Sequence, residues 1–286
     1  MLGMPEHTDT KITQVVTFSE METIARHIRR KLVEMSHKAN TPHLGSALSC
    51  VDILVAAYWG VLTIDVKNPT APDRDRFILS KGHAATALYA VLAYKGFFSE
   101  SLLDTFAESG SCLAEQPGPN CVPGLELATG SLGHGLSTGI GMAIAGRLQE
   151  LSYRVFVLMS DGECNEGSVW EAALFAPAHK LDRVVAVIDY NKWQATGRSN
   201  EIMAIEPLKQ KWESFGWSSY EVNGHRLKDL VEILKKVPDG SGKPIAIIAH
   251  TIKGKGISFM EDNNNWHYRV PNLEELKQAK DELGLS

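Results

Sequence analysis

The amino-acid sequence predicts an α/β fold: a parallel sheet with helices on both faces. Three observations carry that prediction. Apolar runs of strand length alternate along the chain with segments whose apolar residues recur at helical spacing. A polar, acid-bearing segment, Ser160-Asp161-Gly162-Glu163, follows directly on one such run, at the strand's carboxyl end, where open α/β sheets bind ligands. A chain of 286 residues that is 44% hydrophobic can bury the core such a layered fold needs.

Taken in order, Glu20 to Lys38 reads as a long amphipathic helix, Ser46 to Trp59 as a second and His83 to Lys95 as a third. Ser109 to Thr129 is rich in Gly and Pro and reads as a long loop, of the kind that is functional or mobile in compact domains. Gly135 to Glu150 is a helix of small residues, able to pack closely on a sheet. Tyr153 to Met159 is an apolar strand, Glu166 to Lys180 a helix, and Arg183 to Asp189 the next strand. Then come helix Glu206 to Gly216, strand Trp217 to Val222, helix Leu227 to Val237 and strand Pro244 to His250. No internal repeat or low-complexity tract interrupts the pattern, so residues 1–286 read as one domain. Residues 1–12 and the Lys/Glu-rich tail 273–286 are the expected flexible ends.

Composition narrows the function. The net charge of −5 is mild, and Lys and Arg are scattered rather than striped, which leaves no electrostatic footprint for nucleic acid. The most apolar window, Cys50 to Leu62, is too short to span a bilayer and carries Asp52, so no membrane attachment is expected. The first residues lack a signal-peptide core, and a cytoplasmic location follows as the expectation. Cys50, Cys112, Cys121 and Cys164 show no paired metal-ligand spacing and are expected to be thiols without a catalytic role.

An Asp-Gly after a strand is, alone, an ordinary turn. Here a second strand delivers Asn191 into a polar loop beside it. A carboxylate and an amide oxygen are hard ligands suited to Mg2+ or Ca2+, and such a cation completes its shell with substrate phosphates. Backbone N–H groups of the Gly162 turn and of the helix after it could serve the same anion.

The run Ser160-Asp-Gly-Glu-Cys-Asn-Glu-Gly-Ser-Val-Trp-Glu171, closed by Ile188-Asp-Tyr-Asn-Lys-Trp-Gln194, resembles the thiamine diphosphate fingerprint of the transketolase family. Ser160 stands where the family usually has glycine, so the backbone there should not need a positive φ. Other segments resemble the same family in the same order. They are Ala39-Asn-Thr-Pro-His43-Leu-Gly-Ser46, Leu79-Ser-Lys-Gly-His83, Ala128-Thr-Gly-Ser-Leu-Gly-His-Gly135, Thr251-Ile-Lys-Gly-Lys-Gly256 and Trp266-His267-Tyr268. The resemblance runs from about Phe18 to about Pro271 and covers the amino-terminal part of a transketolase.

The resemblance implies an enzyme subunit that binds thiamine diphosphate with Mg2+ or Ca2+ and transfers a two-carbon ketol unit from a ketose or ketose phosphate to an aldose. It implies Asp161, Asn191 and the Trp193 carbonyl as metal ligands. His83, Gly130, Ser131, Leu132, Gly162, Glu163, Asn191 and His267 are implied on the cofactor. His43, Gln116 and His267 are implied on the substrate, and His43, His83, His267 and Glu166 in catalysis. Glu166 and Glu171 match a carboxylate network across a subunit interface, although acids there also simply complement a helix dipole. His134 matches a position that faces the cofactor, whereas His37, His179, His225 and His250 read as structural.

Histidine suits the proton transfers such chemistry demands because its ordinary pKa lies near neutrality. Gln116 replaces a family histidine that contacts the donor; a glutamine can hydrogen-bond but cannot take up a proton. A slipped match in that loop is the alternative. The pyrimidine-binding half of the family's cofactor site is not in this sequence, which implies an α2β2 assembly with a carboxyl-terminal partner subunit. Two other readings stay open: a related two-component enzyme with a specialised sugar or a 2-oxo acid donor, and a non-catalytic regulatory subunit.

Overall fold

A computed structural model describes residues 16–284. The helices, in chain order, are α1 (Phe18–Ala39), α2 (Leu44–Ser49), α3 (Val51–Gly60), α4 (Ala85–Lys95), α5 (Gly135–Leu148), α6 (Gly167–Ala178), α7 (Ser199–Ile202), α8 (Leu208–Ser214), α9 (Leu227–Leu234) and α10 (Leu273–Glu282). The strands are β1 (Arg76–Leu79), β2 (Val155–Ser160), β3 (Val184–Tyr190), β4 (Ser218–Asn223) and β5 (Ile245–His250). They form one five-stranded sheet in the order β1-β2-β3-β5-β4, and every pairing is parallel.

The two-residue period of a strand divides the core in two. Phe156 and Leu158 of β2 and Val185 and Val187 of β3 face the layer of α1, α3, α4 and α9. Val157, Met159, Ala186 and Ile188 face the layer of α5, α6 and α8. Burial on both faces is why these strands read as unbroken apolar runs. The close packing expected of the small-residue helix is visible at Gly139, where a Cβ would stand 2.7 Å from Val157 Cγ2.

Several elements differ from the sequence reading. β1 has no counterpart there, because Arg-Phe-Ile-Leu is too short to show a period; its place is fixed by pairing with β2, Phe77 opposite Phe156. The helix expected from Ser46 to Trp59 begins at Leu44 and breaks at Cys50, beside Ser49, whose hydroxyl donates to Ser46 O and to the Asp189 carboxylate. α8 starts only at Leu208, since Pro207 precedes it. The tail after Asn272, expected to be flexible, is largely helical: Asn272 and Glu275 close a capping box, and Ala279 is buried against the core that α1 faces. Residues 1–12 lie outside the described residues. The segment 109–129 contains no helix or strand, as its composition suggests.

Candidate functional site

Four parallel strands end at one edge, and the residues that follow β1, β2, β3 and β5 converge there. Asp161 follows β2 and is fully buried. Its Oδ1 accepts from Gly162 N at 3.0 Å, and its Oδ2 from Lys192 N at 2.9 Å and Ser199 Oγ at 2.8 Å. These bonds fix the carboxylate without neutralising it. Burial, reinforced by nearby Asp189, pushes its pKa up to about 7. Asn191, buried after β3, accepts from Trp193 N at 3.0 Å through Oδ1.

The Trp193 indole is itself held: its Nε1 donates to Asp262 at 2.8 Å, and the Arg198 guanidinium lies 3.8 Å over the ring. A buried carboxylate with no full counter-charge, beside an oriented amide oxygen and a fixed peptide, fits a hard divalent cation. Among the described residues no cluster of three His, Cys, Asp or Glu side chains could hold a metal, so a cation here would draw on the amide and the carbonyl as well.

Across the edge lies a cluster of bases. The rings of His43 and His267 are 5.0 Å apart, His43 and His83 5.6 Å, and His83 and His267 6.0 Å. They come from three places: His43 caps α2 in the left-handed region (φ 71°), His83 lies in the turn Gly82–Ala84 after β1, and His267 in the turn Asn264–His267. His43 N donates to His267 O at 2.8 Å, joining two of the segments through backbone.

Lys253, wholly buried, reaches the cluster from the loop after β5; its Nζ is 2.7 Å from Asn264 Oδ1 and 3.0 Å from His267 Nδ1. An ammonium can only donate, so His267 Nδ1 accepts and the ring proton sits on Nε2. Burial, with Lys81 nearby, lowers Lys253 to about 8. Burial and then Lys253 lower His267 to about 3. His83 lies well below the ordinary histidine range through burial and Lys81, and His43 is lowered by burial, with Glu115 opposing. His43 Nδ1 is buried with no hydrogen-bond partner.

Beneath, Lys81 is paired with Asp189, both fully buried. Burial alone would raise Asp189, but Lys81 holds it below the ordinary carboxylate range. Neutral imidazoles and a buried ammonium without a carboxylate contact fit an anionic ligand that accepts several hydrogen bonds, as a diphosphate does.

The segment Gly130 to Leu132 borders this cluster. A Cβ on Gly82 would strike the Thr129–Gly130 peptide at 2.7 Å, so glycine at 82 is what lets the two loops touch. Gln116 is exposed and lies over Gly130, where a Cβ would collide with its amide. Gly162 packs against Gln194. Ser160 has no positive φ, in line with the sequence reading, and its hydroxyl accepts from Glu163 N at 3.1 Å.

The remaining expected site groups stand as follows. The N–H groups of the Gly162 turn are already engaged, Gly162 by Asp161 and Glu163 by Ser160, because the turn caps itself. Glu163 is wholly buried; its carboxylate accepts from Ser80 Oγ and from Gly133 N at 2.8 Å, so its side chain fastens the Gly133 loop to the sheet edge. Glu166 is exposed at the N-cap of α6, against Gly133, rather than among the histidines. His134 is exposed at the start of α5, with Nδ1 3.0 Å from Leu132 O.

The sequence reading assigned nothing to Lys81, Asp189 or Lys253. Their signal was weak, since a lone charge in a strand or loop is ordinarily solvated, and only burial distinguishes them. His37, His179 and His250 have structural partners in Pro271 O, Phe175 and Tyr190. Cys50 and Cys164 are buried, with burial pushing the Cys50 thiol up to about 12 and Cys164 well above its ordinary value, which makes both poor nucleophiles. No helix among the described residues is long and apolar enough to cross a membrane.

Comparison with known proteins bears on this geometry. The family model described as transketolase, thiamine diphosphate binding domain, matches residues 20–286. An apulose-4-phosphate transketolase subunit of Phocaeicola vulgatus is 42% identical over 255 residues, covering 89% of this chain and 90% of that one. A 6-deoxy-6-sulfo-D-fructose transketolase subunit of Clostridium sp. is 40% identical over 264 residues, covering 92% and 96%. Human transketolase is 37% identical over 248 residues, but the match spans only 39% of its length. The crystal structure of Campylobacter jejuni transketolase superposes with a TM-score of 0.88 at 29% identity, over 95% of this chain and 44% of that one.

Proposed function

The chain belongs to the transketolase family, and on that premise we propose that it is the cofactor-anchoring subunit of a two-component transketolase, moving a two-carbon ketol unit from a ketose phosphate donor to an aldose acceptor. The observation that carries the reading is the pairing, on one sheet edge, of a buried carboxylate short of positive charge, Asp161, with a buried ammonium, Lys253, that has no carboxylate contact and stands among three histidines. A metal diphosphate satisfies both at once.

Asp161, Asn191 and the Trp193 carbonyl would hold Mg2+ or Ca2+. Lys253 and His83 would face the diphosphate, and Gly130, Ser131 and Leu132 the ring half of the molecule. Thiamine diphosphate, when bound, supplies the nucleophilic carbon that lets the bond beside a ketose carbonyl break and re-form. The chain's own part is to hold substrate and move protons. His267, fixed by Lys253 with its proton on Nε2, donates to a substrate oxygen, whereas His43, neutral and with Nδ1 unpartnered, accepts a hydroxyl proton. His267 is buried and His43 half-buried, which limits the access of water to both.

Gln116, lying over Gly130, would hydrogen-bond the donor where a histidine could also exchange a proton. That difference favours a specialised sugar donor, and relatives named for apulose 4-phosphate and sulfofructose support it. Glu166, exposed beside the site, would meet a partner chain. Leu148 on α5 and Leu174 and Phe175 on α6 are exposed large apolar side chains that an obligate interface would cover. We place the assembly in the cytoplasm as an α2β2 tetramer with a second chain carrying the pyrimidine-binding domain.

The test is reconstitution with that second chain, Mg2+ and thiamine diphosphate, assaying ketose phosphates against pyruvate. Ketol transfer from a ketose phosphate is expected, and Gln116→His should shift relative kcat/KM between donors by about tenfold, the scale of one hydrogen bond to substrate. Turnover of pyruvate alone would replace the sugar reading with the 2-oxo acid one, and no turnover of any donor would leave a regulatory role.

A further inference from the structure

The buried ion pair of Arg29 and Asp52, with the half-buried His225 beside it, forms a polar group that the proposed chemistry does not use. Arg29, on α1, makes a two-pronged contact with Asp52, on α3, at 2.6 and 3.1 Å. His225, in the loop between β4 and α9, places Nδ1 2.7 Å from the same carboxylate. Arg29 and Asp52 are each 6% exposed. Burying such a group is costly, and a fold retains it where it fixes something.

Here it fixes the loop that carries Lys253. His225 Nε2 accepts from Ile252 N at 2.8 Å, and Arg29 Nε donates to Lys255 O at 3.0 Å. Because Nε2 accepts a backbone N–H, the His225 proton is on Nδ1 and donates to Asp52. The group therefore grips the chain one residue before Lys253 and two residues after it, and Asp52 ties the two grips together. The glycines of Thr251-Ile-Lys-Gly-Lys-Gly256 let this segment turn and pack closely, Gly256 against Arg29 and Gly254 against α2. Gly256 has φ 97°, and a Cβ there would stand 2.8 Å from Arg29 Cδ; Gly254 has φ 79° and donates its N–H to Gly45 O at 2.9 Å.

We propose that Arg29, Asp52 and His225 are positioning residues that set where the Lys253 ammonium stands in the histidine cluster. The inference rests on the reading of Lys253 as an anion-facing group, and its test does not require the cofactor to bind. The full chain is labelled with [13Cε]lysine, the Lys253 signal is assigned by its loss in Lys253→Met, and its titration is followed by NMR. The groups facing the ammonium are His267, Lys81, Asp161 and Asp189.

Wild-type Lys253 is expected to titrate near 8. In His225→Leu, which removes the acceptor for Ile252 N–H, the midpoint moves up by about one unit or more toward the ordinary lysine value, as the loop loosens and the ammonium regains water. His225→Gln, which keeps an acceptor, restores most of the shift. Arg29→Lys, which keeps a cation for Asp52 but loses the Lys255 grip, decides the matter if His225→Leu does not fold. A wild-type midpoint in the folded variants would overturn the proposal, as would a wild-type Lys253 that titrates like a surface lysine. Loss of thiamine diphosphate binding with the midpoint pattern intact would instead count against the proposed function alone.

Discussion

The two halves of the site are built by opposite means. The Asp161–Asn191 half rests on neighbouring parallel strands, and its carboxylate and amide are oriented by hydrogen bonds from the same or the adjoining loop. The base half is gathered from four distant segments, at residues 43, 83, 253 and 267, and is held together by tertiary contacts and by the burial of groups that would rather be hydrated. Local geometry can preorganise a ligand set at small cost. A buried ammonium among neutral imidazoles can be kept only where the rest of the fold offsets the hydration these groups lose, and the surrounding structure, from α1 to the loop after β5, converges on the segment around Lys253.

The comparison is broken most directly at Lys253. In the assembled enzyme Lys253→Met is expected to weaken thiamine diphosphate binding by about 10–100-fold, the loss of a charge-assisted hydrogen bond. The chain alone should become as stable or more so, by up to about 1–4 kcal/mol, since the variant removes a buried cation without a carboxylate partner. Calorimetry and chemical denaturation read the two effects, and a variant that loses stability along with binding would show that the cluster is not strained.

Asn191→Ala, in the locally built half, should weaken Mg2+ affinity by about tenfold and cost the metal-free chain about 1 kcal/mol, the lost hydrogen bond to Trp193 N, read by thermal unfolding. The histidines give a pH test. His267 titrates near 3 when folded and near 6.5 when unfolded, so its contribution is intact above the unfolded value and is lost progressively as pH falls from about 6.5 toward 3. Denaturation of the chain alone across that window should show stability falling with pH, and His267→Asn should flatten the slope. The smallest effect is at α10, where Asn272→Ala should cost about 1 kcal/mol of helix stability, read as faster hydrogen exchange along 273–282.

Legibility followed the same division. Asp161 and Asn191 were readable because each directly follows an apolar strand run, and the two strands are successive in sequence and neighbours in the sheet. His43, His83 and His267 were readable only through their segments' resemblance to a family, since nothing in a lone histidine says which others it will meet. Lys253 sat inside a recognised segment yet carried no assigned role; its burial is a property of the loop after β5, the 262–267 segment and α2 together. Short β1 was hidden for a related reason, being defined by its pairing with β2 rather than by its own pattern. At the tail, composition suggested flexibility, but the capping box at Asn272 and the apolar contacts of Leu276 and Ala279 outweighed it.

The central claim is that a divalent cation on Asp161 joins the two halves by anchoring a diphosphate between them. Titration calorimetry of thiamine diphosphate into the assembled enzyme, with Mg2+ and after chelation, and in wild type and Asp161→Ala, tests it. The account predicts binding only for wild type with Mg2+ present. Binding by Asp161→Ala at wild-type affinity, or by wild type stripped of metal, would contradict it.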